Sequence, residues 1–565
     1  MSMEEHLPNK RKRTSLACDA CRARRTKCDS QRPSCHYCQT HGVACIYQEP
    51  PVERPSRVEE ELNAVNKRLD QLISLMLPAQ PVSPDVRTAD LRNEYDDLAN
   101  QANSPFDLPS KLLGNSSVMH VLGLDAGFAQ TLIRGERAAG SKCHEAGGTR
   151  MLIVHHWHAV SALAAFSARV HIWYPILPSD FSQEYFRVLS GSLHPSSESC
   201  LSLLVAAVGH IVREDEAVSD TPYFETALAS LPIIISECSI QSVQCLMLIA
   251  LYYCCLLKPC LAHDYCLIAS SKIQNIIKSG LEGDDPNTVE LTRQAYWGVL
   301  LLENEISGQL DVAKSDIWCL DEHVSLPLCQ HTWQFKPEST SPGVATPELA
   351  LPVDTSVENT RCYFLAEIAM RRMLHRCNTA VQATSTGKYV YASGIALELE
   401  HQLEEWYSYL PDVNRFDKGD VLQPLELVEI PSCPLSNFLR VQYYCCKLSI
   451  YWPAVYQVMQ DGAVTDLLLD HCQIFFDSYV MLTPSIVAAF HNCQVNRWTL
   501  FVSIFMTTVA AMAAANTPCL SGLCSPQFYQ CLRASGHTEQ TILQKSSSLM
   551  ILQGVIEERL SDAGL

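Results

Sequence analysis

Residues 18–45 read CDACRARRTKCDSQRPSCHYCQTHGVAC, and six of the 26 cysteines in this 565-residue chain lie in this stretch. The spacing C-x2-C-x6-C occurs twice, with six residues between the two copies. Two residues between paired cysteines let both thiolates face one metal ion across a single turn of chain. The repeat therefore predicts a metal cage with the ligands Cys18, Cys21, Cys28, Cys35, Cys38 and Cys45.

Six thiolates are enough for two zinc ions only if two sulfurs are shared. Two tetrahedral ions need eight ligand positions, which four terminal and two bridging sulfurs supply. We therefore expect two zinc ions per chain, and the metal must hold the fold because so short a module has almost no hydrophobic core. The cage keeps a negative charge, which basic side chains offset while presenting a positive surface to DNA: Arg22, Arg24, Arg25 and Lys27.

Six cysteines are also compatible with two other structures. A disulfide scaffold needs an oxidising compartment, and the charged N-terminus predicts no secretory signal. A single-zinc ribbon with two spare cysteines does not explain why the same spacing occurs twice. Zinc thiolates in a reducing compartment are therefore the expectation.

Charge is unevenly divided along the chain. The formal net charge is −19, yet residues 1–50 hold nine basic and only five acidic side chains. A basic head on an acidic body is typical of a chain that meets nucleic acid at one end. The run of Lys10, Arg11, Lys12 and Arg13 predicts a nuclear import signal, with a DNA-contacting arm as a compatible alternative.

The cluster resembles the fungal binuclear zinc cluster family of transcription factors, most clearly through CDACRARRTKCD at residues 18–29. The resemblance implies that the first and fourth cysteines, Cys18 and Cys35, bridge the two ions, and that the first helix enters the major groove. It assigns recognition of a CGG triplet to Arg25, with Arg24 beside it. The family usually has lysine at that position, but arginine also pairs well with guanine O6 and N7.

The segments after the zinc module (14–48) predict a linker and a dimerisation helix. Three prolines in residues 49–57 favour an extended linker. Residues 58–77 carry a heptad seam that predicts a short coiled coil and a homodimer, although a helix packed on its own chain is the alternative. Residues 78–115 have the composition of a flexible linker. The seam consists of Val58, Leu62, Val65, Leu69, Leu72 and Met76.

Residues 116–565, here called the helical body, predict a large all-α domain, so the fold class of the whole chain is mostly α. Long apolar-periodic stretches follow one another, and no regular alternation indicates a large sheet. The stretches include 238–280, 360–383 and 436–459. The body resembles the fungal-specific transcription factor regulatory domain, for example in YPIL at 174–177.

Two uncharged apolar segments, Cys238–Leu257 and Trp498–Ala515, raise the question of a membrane. Neither is flanked by a clear basic cluster, and both contain scattered polar residues. Buried core helices are therefore the expectation, and no membrane partner is predicted.

These patterns together predict a nuclear, sequence-specific transcription factor that binds double-stranded DNA and is not an enzyme. The helical body has neither a phosphate-binding glycine loop nor a nucleophile elbow in its sequence. His155 and His158 share a helical face, but solvated histidines are expected there rather than a metal site. We expect the body to respond to a small-molecule or protein regulator. The alternative function is a cysteine-rich metal-storage or redox-sensing protein.

Overall fold

The computed structural model divides into a zinc unit within residues 17–46 and the helical body within residues 116–565. It describes residues 17–24, 26–31, 33–46, 116–125, 127–140, 154–191, 193–213, 222–281, 283, 285–309, 312–330, 332–335, 356–376, 380–383, 389–419, 430–462, 464–536 and 540–565. The predicted import signal, Arg25, the heptad seam and both linkers lie outside these ranges.

Two short helices form the zinc unit. Helix α1 (Asp19–Ala23) follows the first cysteine, and α2 (His36–Thr40) follows the fourth. The two helices therefore begin at equivalent positions of the sequence repeat.

Among the residues described, the helical body contains eighteen α-helices, one β-hairpin, a π-helical segment (Ser167–His171) and two short 3-10 helices (Ile317–Leu320 and Ser521–Leu523). The helices are α3 (Ser116–Val121), α4 (Phe128–Gly140), α5 (His156–Phe166), α6 (Phe181–Ser190), α7 (Ser197–Arg213), α8 (Pro222–Leu228), α9 (Leu231–Ser236), α10 (Ile240–Cys255), α11 (Pro259–Lys278), α12 (Pro286–Gln309), α13 (Val357–Arg376), α14 (Ser393–Ser408), α15 (Pro434–Asp461), α16 (Asp466–Asn492), α17 (Arg497–Ala515), α18 (Pro526–Gly536), α19 (Gln540–Leu543) and α20 (Ser547–Asp562). The mostly α fold class is confirmed.

Local sequence signals set the bounds of the longest helix, α15. It begins with Pro434, whose missing N–H is no loss in a first turn, and Gly462 follows its end in the left-handed conformation at φ 61°. Helix α16 starts differently, because the Thr465 hydroxyl caps it by accepting a hydrogen bond from the Leu468 N–H at 3.3 Å. The two helices pack along each other.

A close backbone contact joins α5 to α7. Gly209 lies where α7 crosses α5, and a Cβ atom built there would lie 2.0 Å from the Ala162 carbonyl oxygen. Only glycine allows the two backbones to approach so closely. This contact fixes the first layer of the core, which continues without interruption through the body.

Two sequence-based boundaries were wrong. The stretch 238–280 is broken between α10 and α11, because Leu257 takes a left-handed φ of 58° and the Lys258 N–H bonds to the Tyr253 carbonyl at 2.9 Å. This is the Schellman ending, usually made by glycine. The stretch 360–383 ends its helix at Arg376, and Val381–Ala383 instead pairs antiparallel with Tyr389–Tyr391 as strands β1 and β2. Side chains of the Val and Tyr type favour strands.

The apolar composition of two long helices is explained by burial. Helices α16 and α17 are long and apolar enough to cross a membrane by length and composition alone. Their most apolar windows are 67% and 83% buried within the body, as core helices of soluble proteins are. The other apolar segment forms α10, which is buried along nearly its whole length.

Candidate metal centre and nucleic-acid interface

The sequence repeat of the zinc unit becomes a structural repeat. The Thr26 N–H bonds to the Cys21 carbonyl at 3.0 Å, and seventeen residues later the Val43 N–H bonds to the Cys38 carbonyl at the same distance. Each half is thus a short helix followed by the same turn. The Asp19 N–H closes the unit by donating to the Ile46 carbonyl at 2.9 Å.

The six sulfurs form two groups of four that share two members. Cys18, Cys21, Cys28 and Cys35 form one group, and Cys18, Cys35, Cys38 and Cys45 form the other, with all ligand atoms of a group within 4.8 Å. The shared sulfurs therefore lie where bridging ligands of two metal ions would lie.

Distances between the sulfurs fit zinc coordination. The Sγ atoms of Cys18 and Cys35 are 3.7 Å apart, and those of Cys21 and Cys35 are 3.6 Å apart. Zinc–sulfur bonds of about 2.3 Å in a tetrahedron place the sulfurs about 3.8 Å apart, whereas a disulfide needs about 2.05 Å. The sulfurs are therefore placed as metal ligands and not as disulfide partners.

Almost nothing except the cysteines is buried in the zinc unit. Its buried cluster, among the residues described, consists of Cys18, Cys21, Cys35 and Cys38. Burial raises the pKa of the Cys38 thiol, so without a cation this thiol would stay protonated at neutral pH. Zinc stabilises the thiolates, and its binding supplies the folding free energy that a hydrophobic core would otherwise supply.

One acidic residue that sequence reasoning missed contributes to the geometry. The carboxylate of Asp29 accepts hydrogen bonds from the His36 N–H at 3.2 Å from each oxygen. It thereby satisfies an N–H at the start of α2, next to the bridging position at Cys35. The signal in the sequence was an isolated acid within a strongly basic stretch.

Positive charge is confined to the first half of the unit. Arg24 and Lys27 are exposed, and Arg22 lies on α1. The residues seventeen positions later, in the second half, are uncharged or only weakly basic: Gln39 for Arg22, His41 for Arg24 and Ala44 for Lys27. The two halves share a fold, but only the first offers permanent cations to phosphates.

This arrangement defines a zinc-dependent DNA-binding module, and comparison with known proteins identifies its family. The family model "Fungal Zn(2)-Cys(6) binuclear cluster domain" matches residues 16–54. A protein of Aspergillus rugulosus named as a transcription factor, ecdB, is 46% identical over 570 residues, covering 98% of this chain and 99% of the relative.

Other relatives match over shorter lengths. The transcription factor qa-1f of Neurospora crassa is 50% identical over 50 residues, or 9% of this chain and 6% of the relative. An ABC-transporter-regulating transcription factor of Aspergillus oryzae is 27% identical over 123 residues, or 21% of this chain and 14% of the relative. No solved structure matches the chain.

The chain belongs to the fungal Zn(2)-Cys(6) transcription factors. Its N-terminal domain binds two zinc ions through six cysteines, as the spacing predicted. DNA binding and the assignment as a transcription factor rather than an enzyme are confirmed by the same relatives.

The remaining cysteines that the structure describes serve mainly as core residues. Burial raises the pKa of Cys255 and Cys445 to about 12, so both stay thiols at neutral pH. Cys238 is one of the few that are exposed.

The histidines near the start of α5 are solvated. His155 and His158 are exposed, with ring centroids 5.9 Å apart. No third metal-binding side chain joins them among the described residues.

Proposed function

We propose that this chain is a nuclear regulator that binds CGG-type half-sites as a homodimer. The observation that carries the proposal is the pair of four-sulfur groups sharing Cys18 and Cys35, in a unit whose first half alone bears permanent cations. Zinc fixes α1 as a rigid element, and a rigid helix is what recognition in the major groove requires.

Within this proposal the four basic residues have different roles. Arg25, supported by Arg24, donates two hydrogen bonds to guanine, and Arg22 and Lys27 contact phosphates. Phosphate contacts give affinity that depends on salt, and base contacts give sequence preference. The roles therefore separate in experiment.

Gel-shift titrations of the full chain test these roles on duplexes with paired CGG triplets at varied spacing. Arg25→Ala should cost about 1–3 kcal/mol and relax the preference for guanine, whereas Arg25→Lys should keep that preference. Lys27→Ala should weaken binding to all sequences and lower the salt slope by about 0.9.

A matched pair of variants uses the repeat within the zinc unit. Arg24→Ala and His41→Ala change equivalent positions of the two halves. The first should weaken binding, and the second should leave it nearly unchanged. Equal effects would contradict recognition by the first half.

Dimerisation rests on the seam at residues 58–77. Leu62→Glu combined with Leu69→Glu should convert the protein to a monomer in sedimentation and abolish binding to paired half-sites. Asn63→Glu combined with Asn66→Glu adds the same two charges off the seam and should leave the dimer intact. A dimer that survives the double change would show that the segment packs elsewhere.

Nuclear import rests on the basic run at residues 10–13. Replacing all four residues with alanine should move a fluorescent fusion to the cytoplasm while purified protein keeps its zinc. Nuclear retention of that variant would assign the run to DNA contact instead.

We further propose that the helical body lets a small molecule or protein control transcription, within a metabolic gene cluster. The helical body is a large domain with an extensive apolar core, whereas DNA binding requires only the small zinc module. Genome-wide mapping of bound sites, with and without residues 116–565, tests this. Identical regulated expression without the body would contradict it.

Zinc release on mild oxidation, with no base preference, would favour the alternative of a redox or storage protein.

A further inference from the structure

A cavity of about 60 Å³ lies in the helical body where α12, α13, α15 and α17 meet. A water molecule needs about 10–15 Å³ of such a cavity, so there is room for a small organic molecule. Apolar side chains form part of the wall, with Phe438, Val441 and Leu500 among them. His375 borders the cavity and is exposed, so a ligand can enter from the protein surface.

The charged side chains in the wall of this cavity are already paired. Arg371 forms an ion pair with Glu305, and it also pairs with Glu367 outside the wall. The other oxygen of Glu305, Oε1, accepts a hydrogen bond from the Thr499 hydroxyl at 2.6 Å. Neither Glu305 nor Arg371 therefore offers an unpaired charge to a ligand. A charged ligand would bury its charge without compensation, so the cavity favours a neutral molecule.

A buried glutamine in the wall has no partner in the described part of the chain. Gln442 on α15 is 7% exposed and lines the cavity, yet its side-chain amide forms no hydrogen bond with any described residue. Leaving a buried amide unpaired is costly. The Gln442 amide must therefore bond to whatever occupies the cavity, whether water or a ligand.

A second amide faces the same space from α12. Asn304 Oδ1 accepts only a long hydrogen bond, 3.5 Å from Arg371 Nη1, and the amide nitrogen of Asn304 donates to none of the residues described. Ser449 donates its hydroxyl proton to the Cys445 carbonyl at 2.6 Å, so this hydroxyl can offer a ligand only an acceptor. The polar part of the wall thus presents both donors and acceptors.

A glycine leaves the cavity open. Gly308 lines the cavity in the last turn of α12, and a Cβ built on it would meet nothing within 4 Å. Alanine is favoured over glycine within helices, so the missing side chain is not explained by helix formation. It is not explained by close helix packing either, in contrast to Gly209.

We propose that this cavity binds a small neutral carboxamide. A carboxamide carries an acceptor oxygen and donor N–H groups side by side, so it matches the donor and acceptor of the Gln442 amide. The carboxamide oxygen also accepts from the amide nitrogen of Asn304, and the alkyl part packs against Phe438 and Leu500. This deepens the proposed regulation by the helical body and rests on it.

The ligand would connect the helices that supply the two amides. Asn304 belongs to α12 and Gln442 to α15. A ligand regulates only if it binds one arrangement of the helices better than another. The carboxamide therefore favours the arrangement in which both amides reach it at once.

Three probes of nearly the same shape test the chemistry of the ligand in the full chain: butanamide, pentan-2-one and butanoate. Pentan-2-one keeps the acceptor oxygen but lacks the N–H donors, and butanoate replaces the donors with a negative charge. In calorimetry and thermal unfolding, butanamide should bind and raise Tm. Its affinity should exceed that of either other probe by at least about fivefold. A smaller difference, or no binding of butanamide, would overturn the proposal.

Two variants locate the binding site. Gln442→Leu keeps the approximate size, removes both hydrogen-bonding groups and should weaken butanamide binding at least about fivefold. It should also remove the preference for butanamide over pentan-2-one, which a purely structural effect would not do. Gly308→Leu fills the cavity and should weaken both probes. Gly554→Leu makes the same change at an exposed glycine of α20 and should leave binding unchanged. Unchanged butanamide binding in Gln442→Leu or Gly308→Leu would refute the site.

Folding of these variants is verified separately. Because Gln442 has no partner among the described residues, Gln442→Leu should unfold at a Tm no lower than that of the unaltered chain. Circular dichroism verifies that Gly308→Leu is folded. A folded Gln442→Leu variant keeps the proposal testable even if Gly308→Leu fails to fold.

The site is tested separately from DNA recognition and from control by the helical body. Gel shifts without amide should be the same for Gln442→Leu and the unaltered chain. Regulated expression should be lost in Gln442→Leu and kept in Gly554→Leu. If deletion of residues 116–565 abolishes regulation while Gln442→Leu retains it, the carboxamide site is rejected and the proposed control by the body stands.

Discussion

Replacing a shared sulfur should remove more zinc than replacing an unshared one. Cys35 belongs to both four-sulfur groups, whereas Cys28 belongs to one. Cys35→Ala leaves three thiolates at each metal position. Cys28→Ala leaves the second group complete, with Cys18, Cys35, Cys38 and Cys45 still in place.

The expected magnitude follows from how little else holds the unit. A structural zinc contributes an apparent binding free energy of about 10–16 kcal/mol at pH 7, and the only buried cluster in the described zinc unit is made of cysteines. We therefore expect about two zinc ions per unaltered chain, about one for Cys28→Ala and close to none for Cys35→Ala. DNA binding should disappear with Cys35→Ala.

Native mass spectrometry of the full chain, with elemental analysis of zinc, measures this directly. Cys238→Ala is the control, since this exposed thiol lies in the helical body and should leave the zinc content unchanged. If both cage variants lost the same amount of zinc, or if Cys35→Ala kept one tightly bound ion, the shared-sulfur arrangement would be refuted.

Four further predictions concern the stability of the helical body, measured by urea unfolding. Gly209→Ala should destabilise it by about 1–3 kcal/mol, because the added methyl meets the Ala162 carbonyl; Gly308→Ala has open space and should stabilise it by up to about 1 kcal/mol. Burial lowers the pKa of His171 from 6.5 to about 3. As the pH falls, this histidine therefore takes up a proton in the unfolded chain before it does so in the folded chain. The contribution of His171 to the free energy of unfolding is complete above pH 6.5 and should drop by about 1.4 kcal/mol per pH unit below that value. His171→Gln should remove this dependence between pH 7 and 5. Arg371 forms ion pairs with the buried carboxylates of Glu305 and Glu367, so Arg371→Met should cost about 3–5 kcal/mol because it leaves both without their cation. A loss below about 1 kcal/mol would contradict the importance of these ion pairs.

The zinc cage could be predicted from the sequence because its six ligands lie close together along the chain, and their spacing almost determines the geometry of the cage. The shared positions Cys18 and Cys35, which the family resemblance implied, agree with the sulfur groups. The mostly α fold class was likewise predictable, because the helical period of apolar residues can be read from neighbouring positions in the sequence. The helix break at Leu257 was not, because a leucine in the left-handed conformation gives no signal in the sequence.

The buried ion pairs of Arg371 were beyond sequence reasoning for a different reason. Glu305 meets Arg371 across 66 positions and Thr499 across 194. No local pattern marks residues that tertiary packing alone brings together. The glycine at position 308 resembles any helical glycine until the space around it is known.

The division of charge limits how this protein can bind DNA. A chain with a formal net charge of −19 is repelled by phosphates except at its basic end, and the described zinc unit offers few permanent cations there. Each phosphate contact adds about 0.9 to the salt slope, so sequence-independent affinity should be modest. Base contacts and the pairing of two half-sites must then supply most of the discrimination. Within each zinc unit, the two halves share a short helix and the same turn, so that task falls to the basic side chains of the first half, Arg22, Arg24, Arg25 and Lys27.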